Sequence, residues 1–250
     1  MTVTSFSDEQ FRHIYPDGIE NHYWNHARNR IILRFLKRQC LDSEPILEIG
    51  GGRGVVAKFL HDKRINITSV ELAPVNPVEG TDGYFFSNTD AFELSIDKRS
   101  RYSLILLLDV LEHMENPASF ISKIIRNFPN LKYLLVTVPA RQELWTNYDD
   151  FNGHFRRYSI LTLHRISEEI RFSTGGYFNH ILYPFFLLFA RLIRKREIVL
   201  KAPEGLMIPF HRFLSWILQL DYIIMPAGWR GTSCIGLFRI EKSSYEYTSK

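Results

Sequence analysis

Glu48-Ile49-Gly50-Gly51-Gly52-Arg53-Gly54 stands between the apolar run Pro45-Ile46-Leu47 and the amphipathic stretch Val55 to His61. Pro45 to Ile49 reads as a short buried strand and Val55 to His61 as a helix, so the glycines occupy a strand-to-helix turn. Glycine there lets a ligand approach the backbone, and the helix start behind it offers N–H groups without intrahelical partners. Two ligand classes fit the letters. Gly52-Arg53-Gly54-Val55-Val56-Ala57 satisfies G-x-G-x-x-A, and Glu71 stands about 20 residues further on, as a dinucleotide site requires. Glu48 argues the other way. It places a carboxylate where a dinucleotide fold keeps its strand apolar, and it suits a cationic or hydrogen-bond-donating ligand better than a pyrophosphate.

On either side the pattern repeats. Ile65 to Val70 predicts a second strand ending at Glu71, followed by a Pro- and Gly-rich loop from Ala73 to Gly83. Tyr84-Phe85-Phe86 predicts a third strand ending near Asp90, and Tyr102 to Leu108 a fully buried fourth ending at Asp109. Pro117 to Asn127 predicts a helix, and Tyr133 to Val138 a fifth strand closed by Pro139. Strands alternating with helices imply βαβ units and a parallel sheet. Upstream, Asp8 to Gln39 is helical in pattern, aromatic and basic, with Tyr23, Trp24, Arg28 and Arg30 ahead of the apolar Ile31, Ile32, Phe35 and Leu36. After Pro139, Arg141 to Tyr158 reads as a polar, aromatic loop. A helix from about Ile160 to Ile170, a sixth strand over Tyr177 to Tyr183 and a closing strand over Ser233 to Ile240 follow. Pro184 to Ile193 and Phe210 to Met225 are apolar helical stretches inserted before the last strand.

The 250 residues are 45% hydrophobic and 23% charged, proportions of a globular chain that exclude collagen-like, coiled-coil and disordered classes. A net charge of +4 is too small to argue for nucleic acid. Cys40 and Cys234 belong to no CxxC or Cys/His spacing, so neither a disulfide framework nor a zinc site is expected, and a reducing compartment is. Met1 to Gln10 is polar, without the apolar core of a signal peptide, and no run reaches about 18 apolar residues.

The glycine stretch resembles motif I of the class I S-adenosylmethionine-dependent methyltransferases, E/D-x-G-x-G-x-G, at every marked position. The resemblance implies a Rossmann-like α/β fold: a mostly parallel seven-stranded sheet, helices on both faces, and a helical insertion before the last strand. It implies that Glu48, Gly50, Gly52 and Gly54 shape the cofactor loop. Glu71, with Leu72, would hold the ribose hydroxyls; Asp90, with Ala91, would contact adenine; Asp109 would belong to the same cofactor site. A carboxylate can accept both ribose hydroxyl hydrogens, and Asp can accept from an exocyclic amine. Asp109-Val110-Leu111-Glu112-His113 resembles the methyltransferases of ubiquinone and menaquinone biosynthesis and their bacterial relatives. In some of these a divalent metal accompanies the motif, but relatives without metal share its letters, and no metal is assigned. His22-Tyr23-Trp24 with Arg28 and Arg30, and Trp145-x-x-x-Asp149-x-x-x-Gly153-His154-x-Arg156-Arg157-Tyr158, resemble two segments of a bacterial subgroup. The resemblance covers roughly residues 20–165 and says nothing of the acceptor.

A histidine on an acceptor-side loop can take a proton from a hydroxyl, so His154 is the candidate base and His113 the second candidate. Tyr23, Trp24, Arg28, Trp145, Arg157 and Tyr158 are candidate acceptor contacts. The same loop also reads as a scaffold in which Asp149 pairs with Arg156 or Arg157. The expected organisation is one domain over 1–250. It has a helical cap at 1–42, a cofactor-binding core at 43–180, the apolar insertion at 183–228 and a closing strand at 233–241. The insertion reads as core, as the wall of a greasy pocket, or as in-plane contact with a membrane through 183–225, with Arg191, Arg194, Lys195 and Arg196 facing lipid phosphates. Acceptor bases in nucleic acid are not expected, because Asp109-Val110-Leu111-Glu112 does not match N/D-P-P-Y/F. The favoured reading is O-methylation of a small aromatic, lipid-linked or glycan hydroxyl, in the cytoplasm or at the inner face of the membrane. A nicotinamide-dependent oxidoreductase and a catalytically silent binding module are the alternatives. Oligomeric state leaves no mark in the letters.

Overall fold

A computed structural model describes residues 7–193 and 199–241. In chain order the elements are α1 (Asp8–Ile14), α2 (Tyr23–Arg38), β1 (Ile46–Ile49), α3 (Val55–Asp62), β2 (Ile67–Val70), β3 (Phe85–Phe86), α4 (Ile96–Arg99) and β4 (Leu104–Leu108). There follow α5 (Pro117–Asn127), β5 (Tyr133–Pro139), α6 (Asn147–Phe151), α7 (Ile160–His164), β6 (Ile170–Phe178), α8 (Leu182–Leu192), α9 (Met207–Ile224) and β7 (Ser233–Ile240). One seven-stranded sheet runs in the order β3-β2-β1-β4-β5-β7-β6. Strands β1 to β5 pair in parallel and β7 lies antiparallel to both β5 and β6, so β7 alone is reversed.

The central strand β4 is apolar at every position because both of its faces are covered. Ile105 and Leu107 join a layer with Ile121, Ile124 and Phe128 of α5, while Leu104, Leu106 and Leu108 join Ile31, Ile32 and Phe35 of α2 and Leu60 of α3. The N-terminal region is two helices, not one. Tyr15 and Pro16 end α1, Gly18 takes φ +79°, and a short 3-10 turn leads into α2, capped by the His22 side chain. Arg141 to Tyr158 is likewise not all loop, since it contains α6, opened by a Thr146/Asp149 capping box.

The sixth strand lies earlier than the apolar pattern suggests. The helix read over Ile160 to Ile170 stops at His164, and β6 begins at Ile170 and ends at Phe178. Gly175-Gly176 hides the strand in the letters. A Cβ at Gly175 would stand 2.3 Å from the Ile235 carbonyl oxygen, so the residue is glycine because the β7 backbone passes there. The insertion stands as read: α8 and α9 lie between β6 and β7. Arg194, Lys195 and Arg196 fall outside the described residues. Cys40 is exposed, and Cys234 is buried in β7.

Candidate functional site

The C-terminal ends of β1, β2, β4 and β5 open into one cavity of about 510 Å³. Gly50, Gly52, Glu71, Leu72, Asp90, Ala91 and Asp109 line it together. They reach it from the segments that follow β1, β2, β3 and β4, on the side where an open α/β sheet holds its ligands. The turn is built for close approach. Gly52 has φ +58°, and a Cβ there would meet the Tyr15 ring at 2.7 Å. Tyr15 thus lies across the glycine loop, and Arg53 fastens it there by donating to the Tyr15 carbonyl at 2.9 Å and pairing with Asp17 at 2.8 Å. Nothing in the letters marks Tyr15, since an aromatic ahead of Pro16 gives no hint that it lies across a glycine loop.

Glu71 faces the loop from β2. One carboxylate oxygen accepts the Gly52 N–H at 2.9 Å and the other the Ala73 N–H at 3.0 Å. Burial raises its pKa, and these backbone donors pull it back. Glu48 takes no part in the cavity wall. It is buried beneath the glycines and accepts from the Ser69 hydroxyl at 2.7 Å, and burial pushes its pKa up to about 7 against that hydrogen bond. Gly54 also stays outside the wall, packed on Phe85. Asp90 accepts the Phe92 N–H at 2.8 Å, which fixes its carboxylate at the rim. Asp109 has φ +58° and shares its carboxylate between the Thr137 hydroxyl at 3.2 Å and Arg28 at 2.7 Å.

Arg28 reaches in from α2, its guanidinium over the Trp24 ring at 4.8 Å and its Nε buried with no partner. Tyr23 and Trp24 line the same wall, as does Phe186 from α8. Across the cavity stands His154, whose Nδ1 is 2.9 Å from an Asp149 carboxylate oxygen. Asp149 is completely buried and also holds Arg157 at 2.8 and 3.0 Å and the Thr146 N–H at 2.9 Å. Burial works against its charge, but the His154 hydrogen bond and the Arg157 cation outweigh it, so its pKa falls below the ordinary carboxylate value. An ionised Asp149 accepts a hydrogen bond from His154 Nδ1–H and so leaves Nε2 as the basic nitrogen.

His113 packs edge-on to His154, ring centres 4.7 Å apart. Burial and then His154 lower its pKa to about 3, so it is neutral. Glu112 is buried at the same wall, its pKa pushed well above the ordinary value by burial and then by Asp109, and its Oε2 has no partner. Glu112, His113 and His154 each bring a ligand atom to within 4.8 Å of the others, a spacing that a divalent cation could bridge. Arg157 touches the cavity but is engaged by Asp149 and by the Ala140 carbonyl at 3.1 Å. Tyr158 and Trp145 are not among the lining residues. The Tyr158 hydroxyl is buried, donating to the Leu111 carbonyl at 3.0 Å, and Trp145 donates to Asp150 at 2.9 Å. Both therefore brace the loop that carries His154.

Residues 21–173 match a family model described as a methyltransferase domain. Over 128 residues the chain is 29% identical to the ubiquinone biosynthesis O-methyltransferase of Rickettsia typhi, covering 47% of this chain and 51% of that protein. Over 117 residues it is 24% identical to the mitochondrial ubiquinone biosynthesis O-methyltransferase of Schizosaccharomyces pombe, covering 42% and 41%. The chain thus spans about half the length or less of the curated relatives it matches. Among solved structures, the methyltransferase domain of bacterial CtHen1-C superposes with a TM-score of 0.51 at 14% identity, covering 87% of this chain and 99% of that one. Coclaurine N-methyltransferase bound to N-methylheliamine and SAH gives 0.50 at 14% identity, covering 84% and 70%. At such identities the likeness is one of fold.

Proposed function

We propose that this chain, which belongs to the methyltransferase-domain family, transfers the methyl group of S-adenosylmethionine to a hydroxyl of a small aromatic, lipid-linked or glycan acceptor. The observation that carries the reading is the Asp149–His154 pair facing a glycine-edged cavity of about 510 Å³, a size that suits a small-molecule cofactor and acceptor. The residues present fit the cofactor. Gly50 and Gly52 leave room along the backbone, and Glu71 and Asp90 offer carboxylates to ribose hydroxyls and an adenine amine. Leu72 and Ala91 flank these acids, and Arg28 holds a free buried donor for a carboxylate. When bound, the cofactor supplies a methyl group already activated by its sulfonium charge. The chain therefore has to align the acceptor and remove one proton.

His154 is the proposed base: its Nε2 takes the hydroxyl proton while Asp149 keeps Nδ1–H in place and offsets the imidazolium charge. A phenol, with a pKa near 10, needs modest help of this kind. Tyr23, Trp24 and Phe186 make an aromatic and apolar wall suited to such an acceptor. Two relatives named as O-methyltransferases support oxygen as the receiving atom. The test is calorimetry with S-adenosylhomocysteine together with transfer from radiolabelled S-adenosylmethionine to a panel of dihydroxybenzoates and alkyl phenols. His154→Ala should retain the affinity and lose about 10²–10⁴-fold in kcat. A loss below about threefold would remove His154 from the chemistry. A divalent cation would need the same His154 nitrogen. Activity lost to a chelator and restored by Mg²⁺ or Zn²⁺ would therefore turn Glu112, His113 and His154 into a metal site instead.

A further inference from the structure

Helix α9 is folded inside out. Its large apolar residues Met207, Phe210, Phe213, Trp216, Leu220 and Ile223 recur at three- and four-residue spacing and are all exposed, from 37% to 56%. The buried face carries Ser215, Leu218 and Asp221. An amphipathic helix on a water-soluble surface presents the opposite arrangement. The direction is set by Asp221, whose two carboxylate oxygens accept the His180 N–H at 2.7 Å and the Ile181 N–H at 3.1 Å. That pair of bonds pins α9 to the start of α8 and turns the apolar stripe outward. Helix α8 does the same with Phe185, Leu188 and Leu192, and Ile181 just ahead of it is exposed too. A groove lined by Ile181, Phe185, Met225 and the exposed Trp229 joins the two helices.

Charge identifies the occupant. Asp221 is the one acid in α8 and α9, and it is buried. The helix beside α9 is α2, which exposes Arg30, Arg34 and Arg38 along one line. Arg212 lies in α9 itself, next to Phe213; it acts with Arg30 on His26, and Arg34 and Arg38 act on Tyr222 of α9, so the four cations gather along the α2–α9 seam. Among the described residues no helix is long and apolar enough to cross a membrane. An apolar stripe edged by arginines and carrying tryptophan is the composition of a helix lying in the plane of a bilayer. We propose that the outward faces of α8 and α9 dock on an anionic lipid bilayer, with Arg30, Arg34, Arg38 and Arg212 at the headgroups. Phe186 of α8 lines the acceptor cavity, so a docked protein would hold that cavity beside the lipid. The docking surface itself does not depend on the chemistry proposed above.

Flotation of the full chain with vesicles tests this, comparing phosphatidylcholine alone with phosphatidylcholine mixed with phosphatidylglycerol. Wild type should float with the mixed vesicles and release in high salt. Arg34→Gln/Arg38→Gln/Arg212→Gln should lose roughly 100-fold in partitioning, about fivefold for each cation. Phe213→Ser/Trp216→Ser should abolish flotation at an unchanged melting temperature, because both side chains are more than half exposed. Wild type that binds neither vesicle overturns the proposal, as does equal binding to both. A fall in melting temperature for Phe213→Ser/Trp216→Ser assigns the stripe to the core. A dimer in sedimentation that this variant disperses, without vesicle binding, assigns it to a second copy.

Discussion

Replacing Asp149 with Asn keeps the shape of the side chain and removes its charge. Asp149 and His154 are 0% and 9% exposed, so water screens their contact poorly. Two unit charges about 4 Å apart interact by about 4 kcal/mol at an effective dielectric near 20. That is the stabilisation the carboxylate gives an imidazolium formed when His154 takes a proton. In the Asn variant the Arg157 cation, held at 2.8 Å by the same oxygen, would face the imidazolium unopposed. The Asn amide can also donate to Nδ1, which moves the histidine hydrogen to Nε2 and removes the base. A cost of about 4 kcal/mol in the transition state is about 10³-fold in kcat. Calorimetry with S-adenosylhomocysteine should show cofactor affinity retained, which separates lost chemistry from lost fold. Asp149→Asn/His154→Ala should be no slower than His154→Ala alone, because the pair acts as a unit. An Asp149→Asn enzyme within about threefold of wild type, or losses that multiply in the double variant, would refute the dyad.

Two further perturbations read the cofactor loop. Glu48 has a folded-state pKa raised from 4.5 to about 7, so its contribution to stability is present below pH 4.5 and is lost as pH rises through about 7. The loss is at most about 3 kcal/mol, Glu48→Gln should abolish it, and melting curves of the two proteins that stay parallel from acid to alkaline pH would refute it. Gly52→Val places a β-branched residue at φ +58° with its Cβ 2.7 Å from Tyr15. Backbone strain alone should cost about 1–2 kcal/mol of stability, and S-adenosylhomocysteine affinity should collapse; a folded variant with wild-type affinity would move the cofactor off this loop.

The glycine turn, the three acids that follow β2, β3 and β4 and the helix Pro117–Asn127 were legible because each is a local pattern with a local cause. Strand β6 was not. Its Gly175 answers to the passing Ile235 backbone, a contact made by a segment some sixty residues later, so the letters around it look like a turn. Asp149 was legible as an arginine partner, but its hold on His154 depends on the capping box that folds Thr146 to Phe151 into α6. Tyr15 left no signal at all, because what makes it part of the site is Arg53 reaching back from the glycine loop. The insertion shows the limit most plainly. Helical spacing in 207–224 reveals a stripe of large apolar residues, and periodicity alone has no sign: the same stripe serves a core or a surface. The sign comes from Asp221 on the opposite face. An acid in the last turn of an apolar helix reads as the solvent side until two N–H groups of 180–181 are seen to occupy it. Once that carboxylate is satisfied inside, the apolar stripe has only the outside left.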